Sequence, residues 1–155
     1  MNGPADFLEA PVSPVTGTLF ENARSTKMVH IAEFTADLIK HGKLKLDPAR
    51  NDHLRITFHD SCNPARGMGL FEEPRYVIKN SVRHFYEMPE DTIREKTYCC
   101  GGGGGLLADE IMEIRMAGGK PRAEACRASG ANFLATICAI CKANLPEVMK
   151  HHKVD

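Results

Sequence analysis

At 155 residues, with 43% apolar and 26% charged side chains, the chain has the size and composition of one globular domain with a substantial core. Twenty Lys and Arg balance twenty Asp and Glu, so no overall field points to nucleic acid or a membrane surface. No stretch approaches the ~20 apolar residues of a membrane helix. The N-terminus, MNGPADFLEAPVSPVTG, carries acids and prolines where a signal peptide carries a basic end and an apolar run, so the expected location is cytoplasmic. In that compartment thiols stay reduced, and six cysteines read as metal or redox ligands before they read as a disulfide framework.

Residues 1–27 have proline and glycine without periodicity and form an extended lead-in. From Met28, the residues Ile31, Phe34, Leu38 and Ile39 recur at helical spacing, and Gly42 can end that helix. This face is ordinary core, or a seam against another part of a larger protein. LDPARNDH is a loop, and LRITF, residues 54–58, is a short strand that delivers HDSC at its end. Glu72, Glu73 and Pro74 open a helix reaching about Val82, because acids and proline suit a first turn. RHFYEM is a second short strand. Beyond the five glycines at 101–105, Leu107, Ile111 and Ile114 share a helical face, which GGK at 118–120 terminates. Pro121 opens another helix, Gly130 closes it, and NFLATI at 132–137 reads as a buried strand. Alternating strands and helices predict an α/β fold: a small parallel sheet with flanking helices over residues 28–150, with a helical N-terminal extension. His151 and His152 fall in a disordered tail, 151–155.

Five of the six cysteines fall in three places. Cys62 follows the first strand, Cys99 and Cys100 precede the glycines, and Cys138 and Cys141 follow the strand at 132–137. In a parallel sheet the C-terminal strand ends open on one edge, so these thiols would converge. The CxxC at Cys138 and Cys141 suits zinc, an iron–sulfur cluster or a dithiol alike. A thioredoxin-like dithiol leaves three cysteines unused, and a structural zinc takes only four ligands. A cluster of several irons can use five. Gly101, Gly102 and Gly103, with the two glycines after them, can bring backbone amides close to a bulky anionic core.

Other residues have competing readings. Cys126 lies among helical alanines as a small buried apolar residue, or as a sixth redox thiol. GGGLLA with Glu124 fits a dinucleotide pattern, but REKTYCC is too polar and short for the buried strand such a loop follows.

The full arrangement has 36 residues between Cys62 and Cys99, the adjacent Cys100, and 37 residues between Cys100 and the Cys138–Cys141 motif. It resembles the cysteine-rich CCG domain of heterodisulfide reductase catalytic subunits and their relatives, across roughly residues 30–148. FHDSC resembles the family's His-Asp-Pro-Cys, with Ser61 in place of the proline; EMP precedes the pair, and CCGGGGGLL fits. The CCGGGGG and GKLKLD stretches most resemble the iron–sulfur subunit of the membrane complex accompanying dissimilatory sulfite reduction.

The resemblance implies a non-cubane [4Fe-4S] cluster held by Cys62, Cys99, Cys100, Cys138 and Cys141. The implied chemistry is reductive cleavage of a disulfide or trisulfide, with a small sulfur-carrier protein as a suspected partner. His59 would supply a proton to a leaving thiolate with Asp60 orienting it, or would bond to backbone as a structural residue. Arg66 would attract an anionic substrate or steady the cluster's charge, or lie solvated. Family members commonly carry two such domains and ferredoxin motifs. One domain without them implies other subunits, or a missing half, of an electron-transfer complex. The reading from a different class is a non-catalytic zinc module for structure and interaction.

Overall fold

The computed structural model describes residues 29–154, and the expected lead-in over 1–27 and helix start at Met28 lie outside the described residues. From Ile31 onward the chain forms one compact unit. Its first helix, α1 (Ile31–Lys40), gives way to Gly42, whose φ of 64° suits a residue without Cβ. Asp47 caps a 3₁₀ turn at Pro48–Asn51 by accepting the Ala49 amide at 3.1 Å. The strand β1 (Arg55–Phe58) follows, then a π-helical turn at Asn63–Gly67 and α2 (Glu72–Ser81). The second strand, β2 (His84–Phe85), is shorter than the expected RHFYEM segment.

All pairings are parallel, in the order β2-β1-β3, where β3 is Phe133–Ala135. Ile56 pairs with Phe85 on one side and Phe133 on the other, and Phe58 pairs with Ala135. As the middle strand, β1 buries Ile56, Thr57 and Phe58 in succession, the continuous pattern of a parallel strand covered on both faces. β3 is an edge strand, so Phe133 is half exposed and the expected buried strand is only partly sheltered.

Helices cover both faces. α1 packs on α2, and Phe58 and Ala135 meet Val77 and Ile78 around an apolar hollow of about 210 Å³. α1 faces inward through Ala32 and Ala36, while Ile31 and Phe34 are 68% and 51% exposed. The core reading of Ile31 and Phe34 is therefore corrected, and their exposure leaves the alternative, a seam against another part of a larger protein, open. Small alanines, not the large side chains, form the buried contact. On the other face Leu134 packs with Ala125, Cys126 and Met149.

The largest departure from expectation is α3 (Met112–Ser129), one helix that runs through Gly118, Gly119 and Pro121. GGK does not terminate it. A Cβ on Gly119 would lie 2.7 Å from Val148 Cγ2 and 2.9 Å from the Cys100 carbonyl oxygen, so glycine here lets a helix touch a loop and its neighbouring helix. Arg115 and Met116 before Pro121, and Arg122 and Ala123 after it, are all buried. This packing outweighs the ~3 kcal/mol that an interior proline costs. Gly130 closes α3 at a φ of 70°, as its sequence position predicts. The last helix, α4 (Ala139–His151), begins directly after Cys138. His151 and His152 are not a loose tail, since His151 ends α4 and the His152 Nε2 lies 2.8 Å from the Met116 carbonyl oxygen.

Candidate metal centre

The chain continues past β1 as His59-Asp60-Ser61-Cys62, and the His59 amide extends the ladder by donating to the Ala135 carbonyl at 2.8 Å. His59, Asp60 and Ser61 are fully buried. Arg75 of α2 donates to both Asp60 oxygens at 2.7 Å, and the Arg94 amide donates to Oδ2 at 2.8 Å. Arg75 Nε also donates to Glu87 at 2.7 Å. Burial alone would lower the Arg75 pKa, but its bonds to Asp60 and Glu87 outweigh that and raise it above its ordinary value. With its carboxylate so committed, Asp60 is not a partner that orients the His59 ring.

Neither ring nitrogen of His59 has a hydrogen-bond partner, so the backbone-bonded reading of that ring fails. Burial, reinforced by the charge of Arg122 and only partly opposed by Asp60, lowers its pKa to about 3. His59 is a neutral ring at physiological pH. Arg66 ends up exposed in the turn after Cys62.

Side-chain hydrogen bonds gather the three cysteine-bearing segments. Thr97 Oγ1 donates to the Asp60 carbonyl at 2.7 Å, joining the Cys99 segment to the Cys62 segment. Ser61 Oγ and Thr136 Oγ1 are 2.8 Å apart, joining the Cys62 segment to the one leading into Cys138. Asn144 of α4 donates to the Cys100 carbonyl at 2.6 Å. The side chains of Cys100 and Cys141, both buried, pack with Leu145, and Cys138 packs against them. Cys62 and Cys99 are exposed. Cys126 is buried elsewhere, beside Met88 and Ile93, as its apolar reading expects.

Two glycine amides aim at sulfur: Gly101 N donates to Cys99 Sγ at 3.3 Å and Gly102 N to Cys100 Sγ at 3.4 Å. Gly101 has a φ of 91°, and a Cβ there would clash with the Arg115 carbonyl and stand 2.8 Å from the Gly119 amide. A Cβ on Gly102 would meet Asn144 at 2.9 Å, whereas one on Gly103 would meet nothing within 4 Å. The first two glycines thus let the loop dock against α3 and α4.

The hydrogen bond from Cys141, helped by the Gly102 amide and Cys99 against the cost of burial, lowers the Cys100 pKa to about 6. The same bond, with burial, pushes Cys141 up. Cys138 and Cys141 flank the first turn of α4, whose free amide ends favour anionic sulfur.

The donor set suits a cluster of several irons better than one ion, because five motif cysteines exceed the four ligands of a structural zinc. Cys100, Cys138 and Cys141 pack together and two sulfurs accept backbone amides, features that suit an iron–sulfur cluster.

Sequence reasoning missed the arginines. Arg75, Arg115 and Arg122 are buried, with exposures of 1%, 3% and 0%. Arg115 donates to Asn144 at 3.2 Å and to Glu147 at 2.8 Å. Arg122 donates to the Thr92 carbonyl and Thr97 Oγ1 at 2.7 Å, to the Tyr98 carbonyl at 3.3 Å, and to the Met88 sulfur at 2.7 Å. Burial lowers its pKa to about 10, so it stays charged at neutral pH. A signal existed in the stripe Arg115, Gly119, Arg122, Cys126. It lies on one face of α3 only if the helix is read through its glycines.

Fold and site together define a class: an α/β module that collects cysteines from three chain segments at the C-terminal edge of a parallel sheet. The chain belongs to the CCG cysteine-rich domain family, whose model matches residues 56–146, from β1 into α4 with all five motif cysteines. Among its relatives is an Hdr-like menaquinol oxidoreductase iron-sulfur subunit of Archaeoglobus profundus. It is 55% identical over 130 residues, covering 81% of this chain and 23% of the relative. The Hdr-like menaquinol oxidoreductase iron-sulfur subunit 2 of Archaeoglobus fulgidus is 48% identical over 155 residues, covering 91% of this chain and 28% of that protein. A dihydromethanophenazine:CoB--CoM heterodisulfide reductase subunit of Methanosarcina mazei is 38% identical over 131 residues, covering 83% of this chain and 31% of that protein. The chain spans about a quarter of the length of these curated relatives. No solved structure matches it. Among the described residues no helix is long and apolar enough to cross a membrane.

Proposed function

We propose that this domain is the iron–sulfur redox module of a heterodisulfide reductase-like oxidoreductase complex. In this reading Cys62, Cys99, Cys100, Cys138 and Cys141 hold a non-cubane [4Fe-4S] cluster. The observation that carries it is the joining of three distant cysteine segments by Thr97–Asp60, Ser61–Thr136 and Asn144–Cys100 bonds, with Cys100, Cys138 and Cys141 in one cluster. When bound, such a cluster supplies single electrons and a site for sulfur capture, which suits reductive cleavage of a disulfide or trisulfide.

The chain's own residues have distinct parts in this reading. Cys100 and Cys141 anchor from the buried side, while Cys62 and Cys99 occupy the open side that a substrate approaches. The amides of Gly101, Gly102 and Gly103 are assigned to donate toward sulfur, and those of Gly101 and Gly102 already bond to cysteine sulfurs. His59 is a proton-handling residue that takes up a proton only when negative charge accumulates beside it and raises its pKa. The relatives are named as subunits of oxidoreductases, which supports partner subunits that supply electrons; any association with a membrane would run through such a partner. A small sulfur-carrier protein is the proposed substrate bearer.

The test is metal and sulfide analysis with visible absorption on anaerobically purified protein. About four irons and four sulfides per chain, with brown colour, are expected. One zinc per chain without iron would replace this reading with the structural zinc module. Cys99→Ser should lose iron and alter the paramagnetic signal; full iron with an unchanged signal would remove Cys99 from the ligand set.

A further inference from the structure

Two of the three buried arginines meet carboxylates. Arg75 pairs with Asp60 and Glu87, and Arg115 pairs with Glu147 and, at 3.7 Å, Asp109. Arg122 is shut off from solvent completely, yet among the described residues no carboxylate lies within ion-pair distance of it. Its acceptors are two carbonyls, a hydroxyl and a thioether, all neutral. Asp60 is the strongest opposing charge that Arg122 feels, but it acts through space and not by contact, while its oxygens bond Arg75 and the Arg94 amide. An interior cation without a countercharge is costly unless negative charge stands nearby. The other groups whose charge couples to Arg122 are His59, Tyr98, Cys126 and, from the thiol set, Cys141. Arg122 also holds the backbone just before Cys99 through Thr97 and Tyr98.

We propose that Arg122 is the fixed countercharge of the metal centre, a positioning residue that favours the state carrying one more electron. The inference rests on the iron–sulfur reading above. Its step is an electron gain from an external one-electron donor: no bond is made or broken, and Arg122 keeps its proton throughout. A unit charge roughly 10 Å away, at an effective dielectric constant of about 20, changes such an equilibrium by about tenfold. Net charge and hydrogen bonding are the established levers on cluster potentials.

The experiment loads the 155-residue chain with iron and sulfide anaerobically, poises it with dithionite and mediators at pH 7, and reads the reduced fraction by paramagnetic resonance. Arg122→Gln should lower the reduced-to-oxidised ratio at fixed ambient potential about tenfold, equivalent to about 59 mV for one electron. Arg122→Lys keeps the charge and should stay within about threefold of the parent. Because loss of a buried guanidinium can prevent folding, Cys126→Asp provides a second arm. It sets a carboxylate four residues along α3 from Arg122, where its ionised form beside the guanidinium cancels that charge, and should shift the ratio the same way. Cys126→Asn should not. An unchanged ratio in Arg122→Gln, or in Cys126→Asp where the former does not fold, at parental iron content overturns the proposal and leaves the iron–sulfur reading standing. A Lys variant as low as the Gln variant also overturns it, by assigning the effect to lost bonds rather than lost charge. A parent chain that takes up no iron or sulfide removes the reading and the proposal together.

Discussion

Arg75 and Arg122 are equally hidden from water, and the fold treats them in opposite ways. Around Arg75 the charges close on themselves: Asp60 and Glu87 each accept two of its hydrogen bonds, and the Phe71 carbonyl accepts at 2.7 Å. Nothing there is left for a ligand, and the cluster of charges fastens α2 to the end of β1. Around Arg122 and His59 the pairing stays open, with His59 unpartnered on both nitrogens and the Arg122 Nε lacking an acceptor. The contrast teaches that equal burial can go with very different pairing. Arg75 touches its opposite charges, whereas Arg122 feels Asp60 only through space.

Breaking the closed side should have the largest effect. Arg75→Met leaves Asp60 buried without its cation and should cost about 3–5 kcal/mol in denaturant unfolding, with iron per folded molecule unchanged. A next smaller effect is expected where α3 touches the cysteine loop. Gly119→Ala would help an exposed helix, but here its Cβ meets Val148 and the Cys100 carbonyl, so a loss of about 1–3 kcal/mol is expected in the same assay.

The open side should also show itself in pH dependence. Between pH 6.5 and about 3 the unfolded chain protonates His59 and the folded chain does not. Stability from this residue is therefore present above pH 6.5 and lost as pH falls, by at most about 1.4 kcal/mol per pH unit. His59→Asn should flatten the stability-against-pH curve by one proton over that window. Parallel curves for the two proteins would mean that the ring is already protonated in the fold. The smallest effect belongs outside both regions: Arg83→Ala removes an exposed pair with Asp52 and should stay within about 0.5 kcal/mol with full iron content.

Much of this was legible in the sequence, and the reasons differ by element. β1 is a short β-rich run, α2 announces itself by Glu72, Glu73 and Pro74, and α4 starts where the CxxC motif requires a turn. The spacing of five cysteines carried the family directly. The continuity of α3 was hidden because glycine and proline are local helix breakers, and only tertiary contact with Cys100 and Val148 reverses their meaning. The arginines were hidden because charge predicts exposure wherever partners are distant in sequence, as Asp60 is from Arg75. The face of α1 misled for the opposite reason: Ile31 and Phe34 follow the helical period, but Ala32 and Ala36 make the contact.

The sheet that supports all this has strands of only four, two and three residues. So few ladder bonds do little to hold Cys62, Cys99 and Cys138 together, and closing the long loops between them is entropically costly. The bonds of Thr97, Ser61 and Asn144 and the contact of α3 with the loop share that task. Any group that grips all three segments therefore acts as a cross-link of the whole fold, and binding it should raise the stability of the chain as well as complete the site.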